Sequence, residues 1–250
     1  MKTVRSLERG IDILLSFSKQ RPSQTAEEIA QAIAVPRSSV YRFLLSLKST
    51  GLVEQEPQTG RYILGLKLLE LGGIVHGRLD LELVAAPLVK DLARSCGETV
   101  ELIVPHNNQG MCISAEESSS PLRLAPERGQ LLPLHVGASE QVLLAWMPEE
   151  VRERVLSGPL VRMTPNTVCD PHALRERLEL IRRQGHMITT GEAFLGSTGI
   201  AAPIFDRKGD VVASISVSGP AERMGADKQE MIVGELKKVA AEVSRLMAMR

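Results

Sequence analysis

The chain has 250 residues, with 30 Lys+Arg against 30 Asp+Glu, so its formal net charge is zero. This length predicts one or two domains with ample chain for a core, and 43% hydrophobic with 24% charged residues excludes wholesale disorder. The longest uninterrupted apolar run, Val142–Met147, falls far short of the roughly twenty residues that cross a bilayer as a helix, so no membrane partner is expected.

In chain order, Leu7, Ile11 and Leu14, with Val4 and Leu15 beside them, form one apolar stripe of a first helix over Val4–Lys19. Arg21-Pro22-Ser23 breaks that pattern. Thr25-Ala26-Glu27-Glu28 reads as a capping box opening a short second helix, with Ile29 and Ile33 on one face. Pro36 suits the first turn of a third helix, in which Val40, Phe43, Leu44 and Leu47 repeat at helical spacing. The opposite face of that helix carries Arg37, Ser38, Ser39, Tyr41, Arg42 and Lys48, and Gly51 ends it. Leu52–Gln55 and Arg61–Leu64 are strand-like runs around a Pro/Gly-containing turn, which is a hairpin signal.

Three helices followed by a hairpin read as a winged helix-turn-helix. The buried stripe of the third helix would hold it in place while its polar face enters a major groove about 12 Å wide. Ser38 and Ser39 let backbone amides approach a phosphate, and Arg37 and Arg42 supply guanidinium forks for phosphate or a guanine edge. Tyr41 divides between packing on the wing and base or sugar contact, and Arg61 is placed to reach a flanking phosphate or the minor groove. Residues 1–77 hold ten Lys/Arg and seven Asp/Glu, a surplus of three positive charges that permits a nucleic-acid module on a neutral body.

Leu66, Leu68, Leu69 and Leu71 form a helical connector ending at Gly72-Gly73, with a domain boundary near residue 78. A helix over 81–96 follows, with Leu81, Val84, Leu88 and Leu92 on its face and Pro87 marking a kink or a late start. Strands are expected at Val100–Val104 and Met111–Ala115, around the turn 106–110, and at Leu122–Ala125. Helices are expected from Gly137 to Trp146, over Pro148–Leu156, and from Asp170-Pro171 to Gln184, the last closed by Gly185. Strands at His186–Thr190, Gly199–Phe205 and Val211–Ser218 precede a terminal helix over Asp227–Met249. That order predicts an α+β domain with a largely antiparallel sheet flanked by helices.

The succession Ser6-Leu7-Glu8-Arg9, Val35-Pro36-Arg37-Ser38-Ser39-Val40-Tyr41-Arg42-Phe43-Leu44, Tyr62-Ile63-Leu64-Gly65 and Leu69-Glu70-Leu71-Gly72 resembles the IclR family of bacterial transcription regulators. Gly97-Glu98-Thr99-Val100, Leu132-Pro133-Leu134-His135, Gly199-Ile200-Ala201-Ala202-Pro203-Ile204-Phe205 and Ser216-Val217-Ser218-Gly219-Pro220 extend the likeness through nearly the whole chain. The resemblance implies a winged helix-turn-helix domain at 1–65, a linker helix at 66–78 and a GAF-like effector-binding domain at 79–250. It implies a cytoplasmic regulator, repressor or activator, that binds double-stranded operator DNA, forms homodimers or homotetramers, and responds to a small carboxylic or aromatic metabolite.

By position, the family's pocket maps onto Gly137, Ala138, Thr189, Gly199, Ser216 and Ser218. Ser216 and Ser218 alternate with Ile215 and Val217, so both hydroxyls share one sheet face and need partners if that face is interior. Gly137 and Ala138, at a helix start, would offer free amides to an anion. The chain departs from the family at Gly199, where many relatives have cysteine, at Thr189, where an acidic residue is common, and at Glu140-Gln141, where Gly-Lys is common. Those departures suggest a larger, less acidic pocket for an aromatic or longer-chain acid. His135 reads as a structural histidine rather than an effector ligand, and Trp146 as core.

Cys96, Cys112 and Cys169 are odd in number and widely spaced, which argues against a disulfide framework, and no Cys/His cluster suggests a metal or other cofactor. No apolar segment with a cleavage site opens the chain, so no secretory signal is expected. The competing class is an enzyme acting on a small organic acid. No GxSxG elbow, phosphate-binding glycine loop or Cys/His pairing supports it.

Overall fold

The structure, a computed structural model, describes residues 4–76, 80–124 and 126–249. The chain divides into two compact units, Met1–Leu79 and Asp80–Arg250.

The first unit runs α1 (Arg5–Leu15), β1 (Ser23–Gln24), α2 (Ala26–Ala32), α3 (Arg37–Ser49), β2 (Val53–Gln55), β3 (Tyr62–Leu64) and α4 (Lys67–His76). The capping box at α2 forms in full. Thr25 Oγ1 accepts the Glu28 amide at 3.2 Å, and the Glu28 carboxylate accepts the Thr25 amide at 2.7 Å. Pro36 precedes α3 as its N-cap. At the other end Gly51 adopts φ +74°, and the Gly51 and Leu52 amides reach back to Lys48 and Leu47. That is a Schellman ending, which favours glycine. The hairpin forms with Val53 opposite Leu64, and β1 adds an unanticipated third strand on β3.

Val40 and Leu44 of α3 are buried with Ile13, Ile29, Val53 and Tyr62, and Phe43 and Leu47 pack at the edge of this core. The first helix is shorter than expected, and its orientation corrects the stripe reading. Ile13 and Phe17 point inward, while Val4, Leu7, Ile11 and Leu15 lie exposed. Apolar residues line two faces of α1, and the unit's own core uses the face led by Ile13. The linker also differs, because α4 runs through Gly72-Gly73 to His76 instead of ending there. Glycine weakens a helix by only about 1 kcal/mol relative to alanine, too little to force a stop. The expected boundary near residue 78 lies outside the described residues.

The second unit runs α5 (Asp80–Cys96), β4 (Thr99–His106), β5 (Gln109–Glu116), β6 (Leu131–Pro133), α6 (Gly137–Trp146), α7 (Glu149–Leu156), α8 (Pro171–Gln184), β7 (Met187–Thr190), β8 (Ser197–Phe205), β9 (Val211–Pro220) and α9 (Ala226–Ala248). The strands form one antiparallel sheet ordered β6-β5-β4-β9-β8-β7. The α+β expectation holds in detail, with three corrections. The third strand is Leu131–Pro133; Leu122–Leu124 form no strand, and Ala125 is outside the described residues. Pro87 sits on the exposed side within a continuous α5, whose buried line is Leu81, Ala85, Val89 and Leu92. The β4–β5 turn is tight, with Asn107 and Asn108 both at positive φ and His106 paired with Gln109.

Asp170 caps α8 by accepting the Ala173 amide at 2.7 Å, and Gly185 closes it at φ +71°. Beside the start of β4, Glu98 is almost fully buried yet bonded to Arg223 at 2.6 and 3.0 Å and to Lys228 at 2.7 Å. Burial opposes its ionisation, but Arg223 and Lys228 outweigh burial and hold the carboxyl below its ordinary range. A Cβ on Gly219 would lie 2.6 Å from Glu98 Oε2, so β9 leaves room for this clamp. Replacing Arg223 by Met leaves a buried carboxylate with one cation in place of two. A lower midpoint is expected in a denaturant melt, and an unchanged midpoint would show the clamp to be energetically idle.

Candidate functional site

Two sites emerge, one in each unit. On α3, burial of Val40 and Leu44 leaves Arg37, Ser38, Tyr41 and Arg42 exposed and Ser39 half-buried. The N-terminus of α3 has no side-chain cap, because the residue there is Pro36, so its first amides stay open to an anion. Arg37 bonds the Tyr41 hydroxyl at 3.0 Å and pairs with Glu27 at 3.1 Å. The Arg42 side chain has no hydrogen bond or ion pair among the described residues.

Arg61 stands apart from this set. Its guanidinium bonds Ser23 Oγ at 3.0 Å, the Ser23 carbonyl at 2.9 Å and Glu28 at 2.6 Å. Glu28 thereby serves both the α2 cap and the wing. Lys48, on the same helix as Arg42, bonds Gln55 of β2 at 3.1 Å.

In the second unit, α6 packs on one face of the sheet. The six positions mapped from the family converge there. Thr189 is paired with Gly199, and Gly199 with Ser218, across neighbouring strands. A Cβ on Gly199 would stand 3.7 Å from Ala138 Cβ and 3.9 Å from Thr189 Oγ1, so glycine lets α6 close onto β8. Ser216 lies opposite Glu101 of β4, and the Ser218 hydroxyl donates to the Glu101 carboxyl. The Oγ atoms of Ser214 and Ser216 are buried without hydrogen-bond partners among the described residues.

Two acidic side chains accompany the mapped positions. Glu140 is buried and Glu101 half-buried here, and neither has an ion-pair partner among the described residues. Burial pushes Glu101 up to about 7 against the hydrogen bond from Ser218. Burial, then the neighbouring Glu101, pushes Glu140 up to about 8. The room for Glu140 comes from β5: a Cβ on Gly110 would approach Glu140 Cγ to 2.8 Å. Gln141, also fully buried, donates to the His135 carbonyl at 2.9 Å and to Glu192 at 2.8 Å. The sequence reading passed over Glu101, Glu192 and the inward turn of Glu140. One signal was available: Glu101 breaks an apolar run at a position sharing its strand face with Thr99 and Ile103.

The His135 ring donates to the Val161 carbonyl at 2.9 Å, a structural role as expected. Trp146 meets Phe205 edge-on at 5.0 Å and lines a separate open cavity of about 690 Å³ with Arg182, Phe205, Lys237 and Arg245. None of the six mapped residues lines that cavity. No group of three or more potential metal ligands occurs among the described residues.

The raised carboxyls bind their protons more tightly in the folded chain than in the unfolded one, where both titrate near 4.5. Their stabilising contribution is therefore full below that value and is lost as pH rises through about 7 and 8. The melting temperature is expected to drop by about 5 °C or more between pH 5 and pH 8.5. Glu101→Gln with Glu140→Gln should flatten the profile; an equally steep profile in that variant would assign the drop to other groups.

Comparison with known proteins matches both units. The model for the IclR helix-turn-helix domain matches residues 6–57, and that for the bacterial transcriptional regulator IclR C-terminal region matches residues 74–245. The HTH-type transcriptional repressor AllR of Escherichia coli K12 is 34% identical over 91% of this chain and 84% of its own. The regulator KipR of Bacillus subtilis is 30% identical over 93% of each. Among solved structures, an IclR homologue from Microbacterium hydrocarbonoxydans in complex with 4-hydroxybenzoate superposes with a TM-score of 0.85 at 31% identity, covering 96% of this chain and 98% of its own. An IclR regulator from Alicyclobacillus acidocaldarius gives 0.87 at 26% identity, covering 99% and 100%. The winged helices, the antiparallel sheet and these matches together make the chain a member of the IclR family, a helix-turn-helix regulator of transcription and not an enzyme.

Proposed function

We propose that this regulator binds operator DNA through α3 and that a small organic molecule seated between α6 and the sheet modulates that binding. In this reading residues 1–65 are the DNA-binding head, 66–78 the linker and 79–250 the effector domain, and the protein works in the cytoplasm. The observation that carries the DNA half is the division of α3 into a buried Val40/Leu44 side and an exposed Arg42 side. Arg37, Ser38, Ser39 and Tyr41 complete the surface, with the uncapped amides of α3 directed at phosphate. Arg61 supports the wing through Ser23 and Glu28, and it contacts DNA only by giving up those bonds.

The effector half rests on the convergence of Gly137, Ala138, Thr189, Gly199, Ser216 and Ser218 under α6. The solved relative with 4-hydroxybenzoate shows that a member of this family takes a small aromatic ligand. An effector regulates by binding two arrangements of the DNA-binding heads unequally, only one of which fits the half-site spacing. That mechanism needs at least two copies of the chain. The exposed Val4, Leu7, Ile11 and Leu15 of α1 form an apolar stripe of the kind a second copy covers.

Arg42→Ala is expected to weaken binding to DNA from the protein's own upstream region by about 1–3 kcal/mol if the contact is to a base, or to reduce the salt slope by about one if it is to phosphate. Fluorescence anisotropy across a salt series measures both. Identical affinity and slope in the variant would remove α3 as the reading element.

Leu7→Glu with Ile11→Glu should shift the mass measured by light scattering toward the monomer. A mass equal to that of the parent protein would exclude the α1 stripe as the contact between copies.

A further inference from the structure

We infer that the site beneath α6 takes its small molecule by an N–H donor head group, such as an amidinium or a carboxamide, because Glu140 already fills the place an anionic head group would take. This rests on the reading of that site as the effector site and names the chemistry it selects.

The N-terminus of a helix attracts anions through its free amides and its dipole. At α6 the chain's own carboxyl answers that attraction. Glu140 stands in the first turn of α6, and a Cβ on Gly137 would lie only 3.6 Å from Glu140 Oε2. The absence of a side chain at Gly110 makes room for it. Glu101 adds a second carboxyl from β4.

The remaining unmet polar atoms point the same way. Gln141 is fully buried and spends its amide N–H groups on His135 and Glu192, so its unpartnered Oε1 can only accept. The Ser216 hydroxyl, nearly inaccessible and directly opposite Glu101, also lacks a partner. Nearby charged groups are committed elsewhere: Arg177 to Glu192, and Arg128 to Glu82. Burial, then Glu101, pushes the Cys112 thiol up to about 12, so it stays neutral. The His135 ring is held by Val161.

A carboxylate entering here would meet two carboxyls and would be repelled once either of them releases its proton. An amidinium presents two parallel N–H donors to a carboxylate, as arginine does, and a carboxamide offers N–H donors without charge.

The test uses the full-length protein in calorimetric titrations with two matched trios. These are 4-hydroxybenzamidine, 4-hydroxybenzamide and 4-hydroxybenzoate, and butanamidine, butanamide and butanoate. In at least one trio the amidine should bind at least tenfold more tightly than the acid at pH 7.5, with the amide between them. Amidine affinity should rise from pH 6 to pH 8.5 as Glu101 and Glu140 release protons. Glu140→Gln should weaken the amidine at least tenfold and move the amide less than threefold. Gly110→Ala, which pushes against Glu140 from β5, should weaken the amidine in the same direction.

Acids binding more tightly than amidines, with affinity indifferent to pH, would overturn the inference and leave the effector reading standing. No binding by any member of either trio would overturn the inference as well. Binding that Ala138→Trp, a block placed against Gly199, fails to affect would take the ligand out of this site and remove the effector reading with it.

Discussion

A helix with no solvent-facing side organises the C-terminal unit. From Gly137 to Ala145 every residue of α6 is buried, including Ser139, Glu140 and Gln141. A helix that is apolar all round is an ordinary core element, but one that buries a carboxyl and an amide must find partners for them. The surrounding strands supply that accommodation. Gly110 and Gly199 give up side chains so that α6 can lie close, and Glu192 takes the Gln141 amide. The polar site is a consequence of seating this sequence against this sheet.

The two units carry opposite solutions to the same difficulty of placing charge. In the first, charge is kept outside and braced by neighbours. Arg37 leans on Tyr41 and Glu27, and Arg61 on Ser23 and Glu28. Exposed pairs of this kind contribute little stability, so their effect is to orient side chains. In the second, charge goes inside under two regimes. Glu98 receives two cations and stays ionised, whereas Glu101 and Glu140 receive none and hold protons more tightly. The difference identifies Glu98 as architecture. It leaves the other pair with an unmet electrostatic demand.

Features governed by local rules were legible in the sequence. The Thr25–Glu28 box, the helix start at Asp170-Pro171 and the Gly185 stop follow from a few adjacent residues, and all three form as read. The order of strands and helices in the second unit was also legible, since each long element has its own periodicity. What failed depends on partners remote in sequence. The helical spacing of Val4, Leu7, Ile11 and Leu15 is real, but Ile13 and Phe17 meet α2 and α3, and nothing local says which face does so. Leu131–Pro133 is a strand only because β5 pairs with it. The inward turn of Glu140 required knowing that Gly110 lies against α6.

The DNA-binding face also changes character once the braces are visible. An inventory of arginines treats Arg37, Arg42 and Arg61 alike, yet only Arg42 is without a partner among the described residues. Arg61 joins the wing to the same carboxylate that caps α2, so the hairpin is tied to the helix preceding α3. The Arg61 charge is thereby engaged within the wing by Ser23 and Glu28. In the proposed reading, recognition falls on the exposed face and free amides of α3, so that residues 1–77 need no more than their surplus of three positive charges.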